Sequence, residues 1–136
     1  MFRKLLLAVD GSPGADKAIG IADEMAKALG SEVLVLHVRE VEIGRFPGQM
    51  EAPQDAIDLV NGVVGRLEAD GVVCKGEARS APYGRAAREI VEGAAASDVD
   101  GIVLGSRGLS DWAAALIGSV AHKVISMAEC PVIVAR

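Results

Sequence analysis

Three glycines and a serine in the last third of the chain have a spacing that suits phosphate binding. Two residues separate Gly105 from Gly108, and nine more lead to Gly118 and Ser119. Glycines let backbone N–H groups approach phosphate oxygens closely, and a helix N-terminus adds unpaired N–H donors and a favourable dipole. Turns between strands and helices favour glycine in any case, so two glycines alone would indicate little. Three of them with a serine, placed after a buried strand, predict a site for a polyanion.

A carboxylate near the N-terminus is a second candidate for the same site. Asp10 follows a short aliphatic run and precedes Gly11 and Ser12 at a predicted helix start. In a crevice beside Gly105, its oxygens could accept hydrogen bonds from ribose hydroxyls or help to hold a divalent cation. A carboxylate at this position is explained equally well by the dipole of the helix that follows it. Both interpretations remain open at the level of sequence.

Motifs of several other nucleotide-binding classes are absent from the sequence. No Gly-Lys-Ser or Gly-Lys-Thr occurs, so there is no Walker loop, and no GxGxxG fingerprint follows the first aliphatic run. The serine- and glycine-rich loop of proteins that adenylate substrates, and their paired His and Lys motifs, are also missing. A phosphoacceptor receiver domain would need acidic neighbours near the N-terminus, an acceptor Asp after the third strand and a Lys after the fifth. These residues are absent from the sequence, so that class is excluded as well.

The composition is that of a small, soluble α/β protein. Of 136 residues, 51% are apolar and 3% aromatic, so aliphatic side chains and alanine must fill the core. We expect one domain over residues 1–136, because this length buries a core without metal or disulfide support. Cys74 and Cys130 lie far apart, outside any metal-binding or redox spacing, which favours buried thiols.

Charge and hydrophobic patterning argue against membranes and nucleic acids as partners. The aliphatic run at residues 5–9 is much shorter than the about 20 residues that cross a bilayer. Asp10 interrupts it and no small-residue cleavage site follows, so we expect a cytoplasmic location rather than a signal peptide. The net charge of −5 and the lack of Lys/Arg clusters predict no nucleic-acid partner.

Short aliphatic runs alternate with segments of helical periodicity. Five runs, interpreted as strands covered on both faces, occupy residues 4–9, 32–38, 72–78, 101–105 and 131–135. Helices are predicted over residues 13–29, 53–70 and 83–97, and from 119 to a point before Pro131. The first has Ser12 as N-cap, Pro13 at its first position and Gly30 as its stop. Leu29 and Ile57 are expected on the inward faces of the first and second helices.

This alternation predicts a parallel, doubly wound α/β sheet with right-handed crossovers. In such sheets, ligands bind outside the carboxyl ends of the strands, where the winding direction reverses. A site is therefore expected after Val9, after Val38 and after Leu104. The connection over residues 39–52 is long for this architecture, and loops of that length often serve as lids or binding elements.

Four segments together resemble the universal stress protein family, in its ATP-binding subclass. They are Val-Asp-Gly-Ser at 9–12, Leu-His-Val at 36–38, the glycine pattern at 105–119 and Cys-Pro-Val-Ile-Val at 130–134. The resemblance spans the chain, and the spaced glycines are its specific part, because family members that do not bind ATP lack them. It implies a five-stranded parallel sheet of order 3-2-1-4-5 with helices on both faces, a Rossmann-like fold of the adenine nucleotide alpha hydrolase type.

The resemblance also implies ATP with magnesium (Mg) as the ligand, and a set of contact residues. The implied residues lie at strand ends and at the start of the last helix: Ala8, Val9, Asp10, Val38, Gly105, Arg107, Gly108, Gly118, Ser119 and Val120. Val38 and the end of the first strand would contact adenine. Asp10 and Gly105 would contact the ribose. The later glycines, with Ser119 and Val120, would meet the phosphates.

The interval between the glycines departs from the family pattern. Many relatives carry Lys or Arg there, whereas residues 109–117 contain no cation and one acid, Asp111. Weaker affinity for a triphosphate is therefore expected. Arg107 or Lys123 could compensate, although solvated surface charges are the favoured interpretation of both. Trp112 is expected to be partly buried at the surface; the alternatives are that it packs against a partner or covers the site.

The remaining expectations concern catalysis and assembly. His37 and His122 are interpreted as structural histidines, so nucleotide binding with at most slow hydrolysis is favoured over dedicated catalysis. The resemblance implies a homodimer formed by antiparallel pairing of the last strands, through Val132, Ile133 and Val134. The alternative function is a dimeric protein-interaction module of the same fold that binds no nucleotide.

Overall fold

Strands and helices alternate along the chain. The computed structural model describes residues 1–44, 50–106 and 117–136. The strands are β1 (Lys4–Ala8), β2 (Glu32–Val41), β3 (Cys74–Pro82), β4 (Gly101–Gly105) and β5 (Val132–Ala135). The helices are α1 (Pro13–Leu29), α2 (Pro53–Ala69), α3 (Ala86–Ala96) and α4 (Ser119–Met127).

The five strands form one parallel sheet in the order β3-β2-β1-β4-β5, which confirms the predicted α/β architecture. In the centre of the sheet, Leu6 of β1 is in register with Leu34 of β2 on one side and with Ile102 of β4 on the other. The chain moves outwards in one direction through β2 and β3, then returns past β1 to β4 and β5. The winding therefore reverses between β1 and β4, where α/β proteins commonly bind ligands.

Two apolar clusters cover the two faces of the sheet. On one face Leu7 and Val35 pack with residues of α1 and α2, and on the other Leu6 and Leu36 pack with residues of α3 and α4. Successive side chains of a strand point to opposite faces, so residues 5–8 of β1 must all be apolar to cover both faces. This explains the continuous aliphatic run in β1, whose Leu5, Leu6 and Leu7 are fully buried.

The predicted caps of the first helix are confirmed. The Ser12 hydroxyl accepts a hydrogen bond from the N–H of Ala15 at 3.2 Å, and Pro13 occupies the first turn. At the other end, Gly30 has a φ of 70° and donates its N–H to the Ala26 carbonyl at 2.8 Å. The left-handed backbone at the helix end is the reason for glycine there.

The third strand differs from the prediction in both position and environment. It begins at Cys74 rather than at residue 72 and continues to Pro82, and most of its side chains are exposed. As an edge strand it has one neighbour, β2; its Lys75 is exposed, whereas Glu77 and Arg79 are half-buried. A Cβ at Gly76 would lie 2.3 Å from Cγ1 of Val60, so the glycine permits α2 to pack closely on this strand.

Several predicted boundaries and inward positions were also wrong. Helix α3 begins at Ala86 rather than at residue 83, because the turn before it contains Gly84 with a φ of 85°. The β2 strand extends to Val41, which shortens the connection expected over residues 39–52. Leu29 and Ile57 are exposed, since both lie at the margins of their helices' apolar stripes.

Two further expectations concern membranes and cysteines. Among the helices in the described parts of the chain, none is both long and apolar enough to span a membrane. Cys74 and Cys130 are free thiols at half-buried positions, rather than in the core. Burial raises the pKa of each thiol above its ordinary value.

Candidate functional site

A cavity of about 330 Å³ opens at the carboxyl ends of β1, β2 and β4, beside the first turn of α4. The described residues that line it are Ala8, Val9, Asp10, Leu36, His37, Val38, Glu40, Glu51, Ala86, Ile90, Leu104, Gly105, Ser106, Gly118, Ser119, Val120 and Ala121. Both aliphatic side chains and polar groups are among these residues. This combination suits a ligand with a flat apolar part and a charged tail.

The fold brings the predicted site residues together at this cavity. Eight of the ten line it: Ala8, Val9, Asp10, Val38, Gly105, Gly118, Ser119 and Val120. The other two, Arg107 and Gly108, lie outside the described residues, as do Asp111 and Trp112. Residues from the two ends of the sequence meet because β1 and β4 are adjacent and parallel.

The register of β1 and β2 leaves backbone groups of Val38 directed into the cavity. Leu36 accepts a hydrogen bond from the N–H of Val9 at 3.0 Å, so its backbone groups face β1. Alternate residues of a strand in a parallel sheet direct their N–H and C=O groups to the same side. Val38 therefore faces that side too, but β1 ends at Ala8 and cannot pair with it. A donor and an acceptor beyond the end of β1 could pair with the edge of a base.

Asp10 takes part in the turn that starts α1 and also lines the cavity. Its Oδ1 accepts a hydrogen bond from the N–H of Ser12 at 2.9 Å. This contact orients the carboxylate and leaves its second oxygen for another donor. The two roles that the sequence left open for Asp10 are therefore compatible.

Gly105 is explained by packing within the protein. A Cβ at this position would lie 2.7 Å from the carbonyl carbon of Gly14 and 2.8 Å from its oxygen. The end of β4 thus passes directly against the backbone of the first turn of α1. This approach brings Asp10, which precedes α1, to the same end of the sheet as β4.

The start of α4 presents backbone donors at the cavity. Gly118 is the N-cap, its N–H donates to the Ser106 carbonyl, and its own carbonyl accepts from the N–H of His122 at 2.9 Å. The N–H groups between them, of Ser119, Val120 and Ala121, have no acceptor within the helix, as in the first turn of any helix. All three residues line the cavity, where the helix dipole favours an anion.

The prediction that His37 is a structural histidine is confirmed, whereas His122 is exposed on α4. The imidazole of His37 is 5% exposed; Nδ1 lies 2.7 Å from the Val9 carbonyl oxygen, and Nε2 lies 2.7 and 3.0 Å from the two carboxylate oxygens of Glu51. Glu51 comes from the connection that was expected to carry a binding element. Nothing in its sequence position indicates that it would reach β2.

Sequence reasoning missed several residues that line the cavity. Glu40 lies two residues after Val38 on β2, so alternation along the strand could have identified it. Ser106 lies between two predicted positions and is 8% exposed. Ala86 and Ile90 come from α3, and only the packing of α3 against β2 brings them to the cavity.

The charge at the cavity is negative over the part that the structure describes. Asp10, Glu40 and Glu51 line it, and no Lys or Arg is among the described lining residues. Lys123 is exposed on α4, as predicted. In residues 1–44, 50–106 and 117–136, no three His, Cys, Asp or Glu side chains are grouped so that they could hold a metal ion.

Comparison with known proteins agrees with the fold. The universal stress protein family model matches residues 1–136. The chain is 36% identical to universal stress protein YxiE of Bacillus subtilis (strain 168), with 100% of both chains covered. The structure of hypothetical protein MJ0577 is similar at a TM-score of 0.83 and 25% identity, covering 99% of this chain and 96% of that one.

A further solved structure is that of the universal stress protein from Archaeoglobus fulgidus in complex with dAMP. Its TM-score is 0.72 at 26% identity, and 100% of this chain and 98% of that one are covered. The family match over the whole sequence and the shared sheet order agree with each other. The chain therefore belongs to the universal stress protein family.

Proposed function

We propose that this chain binds an adenine nucleotide, ATP with magnesium, in the cavity at the carboxyl ends of β1, β2 and β4. The observation that supports this most directly is the convergence there of every described residue that was predicted to contact the nucleotide. These residues come from four separate parts of the sequence. A cavity lined by aliphatic residues and by the first turn of a helix matches a nucleotide's two halves.

Each part of the ligand has suitable groups in the proposed site. The backbone of Val38 offers a donor and an acceptor for the base, and aliphatic residues of the lining offer an apolar surface. Asp10 has a free carboxylate oxygen for a ribose hydroxyl. The first turn of α4, with the Ser119 hydroxyl, faces the phosphates, and Arg107 and Gly108 belong to the same proposal. We place the magnesium ion on the phosphates, where it would offset part of their charge.

The Archaeoglobus fulgidus structure supports the ligand class, since that related protein holds an adenine nucleotide, dAMP. We infer a regulatory role in the stress response rather than dedicated catalysis. Both ring nitrogens of the buried His37 are already engaged, so it offers no free base to an attacking water. Hydrolysis, if it occurs, is expected to be slow. The proposal includes a single domain over residues 1–136 and the cytoplasmic location expected from the sequence.

Calorimetric titration of the purified protein tests the proposal. ATP, ADP, AMP and cyclic AMP are titrated separately, each with and without magnesium, and mass analysis identifies any ligand that is released on unfolding. We expect uptake of ATP with magnesium at a stoichiometry of one per chain. A flat titration for all four ligands at millimolar concentration would exclude the proposed function.

A dimeric protein-interaction module is the alternative function, and the edge of the sheet favours it. The outer side of β5 has no partner strand within the described residues, and Ile125 and Met127 of α4 are exposed nearby. Such a surface could pair with a second copy or with another protein. Dimerisation through β5 is compatible with both functions, so only the nucleotide titration separates them.

A further inference from the structure

One buried serine has a hydroxyl group without a partner in the described parts of the chain. The buried polar residues there are Ser12, Ser31, His37 and Ser106. The Ser12 hydroxyl accepts from Ala15, the Ser31 hydroxyl donates to the Phe2 carbonyl, and both ring nitrogens of His37 have partners. The side chain of Ser106 has no hydrogen bond to any residue within 1–44, 50–106 and 117–136. A buried hydroxyl without a partner is costly and needs an explanation.

The side chain of Ser106 faces the cavity at the end of β4. The N–H groups of Ile102 and Ser106 both donate to the neighbouring strand, at 2.9 and 2.7 Å, so their backbones have the same orientation. By alternation, Ser106 lies on the sheet face of Ile102 and Leu104, which α3 and α4 cover. Ser106 is 8% exposed and lines the cavity, and its Oγ is not sealed among protein atoms. The hydroxyl therefore opens onto the cavity.

Packing alone does not account for a serine at this position. Ile102 and Leu104 belong to the apolar cluster on this face, and Ala86 and Ile90 of α3 line the same cavity. An apolar side chain at residue 106 would continue that cluster without burying a polar atom. The partner of the Ser106 hydroxyl is therefore to be sought in what fills the cavity.

Ser106 also lies beside the start of α4. Its carbonyl oxygen accepts a hydrogen bond from the N–H of Gly118, the N-cap of that helix. The N–H groups of residues 119–121 follow at the same end of the cavity. An anion with several oxygens could accept from the hydroxyl and from the helix N-terminus together. Gly105, the proposed ribose contact, precedes Ser106 directly, so the phosphate attached to the ribose is the one that would reach the hydroxyl.

The charge of the cavity increases the importance of an uncharged donor. Asp10, Glu40 and Glu51 line it, and the described lining residues include no Lys or Arg. Attraction for an anion in this part of the site therefore depends on hydroxyl and backbone N–H groups. A hydrogen bond from a hydroxyl to an ionised oxygen is stronger than one between two neutral groups.

We propose that Ser106 is a further binding residue, whose hydroxyl donates a hydrogen bond to the phosphate attached to the ribose. The inference rests on the proposed function and adds to it a residue that selects nucleotides over the nucleoside. The hydrogen bond forms only in the complex. The hydroxyl therefore contributes to ligand affinity and not to the stability of the ligand-free protein.

The test compares wild type and Ser106→Ala by calorimetric titration of adenosine, AMP and ATP, the last with magnesium. Loss of a hydrogen bond to an ionised oxygen weakens the affinity for AMP and for ATP by about tenfold each. The affinity for adenosine stays the same, because the nucleoside has no phosphate. Urea denaturation of the ligand-free protein gives no lower midpoint in Ser106→Ala, since the substitution leaves no protein group unpaired.

Ser31→Ala is the matched control, because it makes the same change at another buried serine. Ser31 does not line the cavity, and its hydroxyl has a partner within the protein, the Phe2 carbonyl. This variant is expected to have a lower urea midpoint and the nucleotide affinities of the wild type. The two substitutions thus have opposite effects on binding and on stability.

The outcomes separate this inference from the proposed function. Equal affinities of wild type and Ser106→Ala for AMP and ATP overturn the inference and leave the proposed function in place. A urea midpoint that falls in Ser106→Ala as far as in Ser31→Ala, or an equal loss of affinity for adenosine, also contradicts it. If the wild type takes up none of the three ligands, the proposed function fails, and the inference fails with it.

Discussion

Gly105 and Gly118 belong to one spaced pattern but have different physical reasons for being glycine. At Gly105 a side chain would meet the backbone of Gly14 within the protein. Gly118 has a φ of −61° and a ψ of 158°, a conformation open to every residue, and it lies at the cavity wall. The first glycine is therefore expected to matter for stability and the second for binding.

Gly118→Val is expected to abolish uptake of ATP while the fold stays intact. The branched side chain occupies the space at the start of α4 where, in the proposed complex, the phosphates would approach the backbone N–H groups. Calorimetry measures the binding, and circular dichroism with thermal unfolding checks the fold. Gly62→Val is the matched control, since Gly62 is exposed on α2 with no atom within 4 Å of its Cβ position. Unchanged affinity in Gly118→Val would show that the phosphates bind elsewhere.

Gly105→Ala is expected to lower the free energy of unfolding by about 1–3 kcal/mol, the usual cost of overpacking. The new Cβ lies too close to the carbonyl group of Gly14 for either backbone to stay in place. Urea denaturation of the two proteins without nucleotide measures the difference. Equal midpoints and slopes would mean that β4 and α1 are less tightly apposed than the structure shows.

At the scale of elements, hydrogen bonds of Asp100 connect the beginning of β1 to the turn before β4. Its carboxylate accepts hydrogen bonds from the N–H groups of Arg3 at 3.0 Å and Lys4 at 3.1 Å, and its own N–H donates to the Lys4 carbonyl at 2.9 Å. Burial acts to raise the pKa of Asp100, but the hydrogen bonds outweigh it and lower the pKa. The ionised carboxylate thus helps to join two strands that are distant in sequence.

The pH dependence of stability should report this contact. A lowered pKa means that Asp100 stabilises the fold above its unfolded-state pKa, near pH 4, and that this contribution is lost as pH falls through the folded-state value. Asp100→Asn should therefore be less stable than the wild type at pH 7, with the difference shrinking in acid. Chemical denaturation between pH 3 and pH 7 measures it.

The control for this prediction is Asp98→Asn, which removes a neighbouring exposed charge. Asp98 has a φ of 53°, a conformation that asparagine tolerates, so the change should not strain the backbone. Its stability should follow that of the wild type across the pH range. If Asp100→Asn behaves in the same way, the two hydrogen bonds contribute nothing measurable.

At the scale of the whole molecule, the edge formed by β5 is the surface through which the proposed homodimer would form. The carbonyl groups of Pro131 and Ala135 accept hydrogen bonds from the N–H groups of Ile102 in β4 and of Ser106 just after it. The backbone groups of Val132 and Val134 therefore point outwards by alternation. The proposed homodimer would pair these outward groups with those of a second copy. The two edges of the sheet differ, since β3 carries charged side chains and β5 is aliphatic.

Val134→Pro is expected to convert a dimer into a monomer without disturbing the sheet. Proline removes one outward N–H group and leaves the hydrogen bonds to β4 in place. Sedimentation at micromolar concentration measures the assembly, and Val134→Ala, which keeps the N–H group, should remain dimeric. A wild type that is monomeric under these conditions, or a proline variant that is dimeric, would exclude pairing through β5.

Much of the fold could be predicted from the sequence because the central strands are buried on both faces. The continuous aliphatic runs in β1 and β4 require burial on both faces, and Ser12 and Gly30 bound α1 by local hydrogen bonding. The prediction failed where burial depends on a neighbour, as in β3, whose exposure follows from its place at the edge. It also failed for Ile57, since periodicity cannot specify how far an apolar stripe extends around a helix.

The sequence by itself determined the α/β alternation, because that depends on local pattern, and its resemblance to the family nominated the eight described residues that line the cavity. Only the tertiary structure decided that Gly105 is glycine to clear Gly14, and that Glu51 reaches His37 across the end of β2. Both are contacts between segments that are brought together by sheet order and helix packing. Neither partner in such a pair carries a local signal of the other.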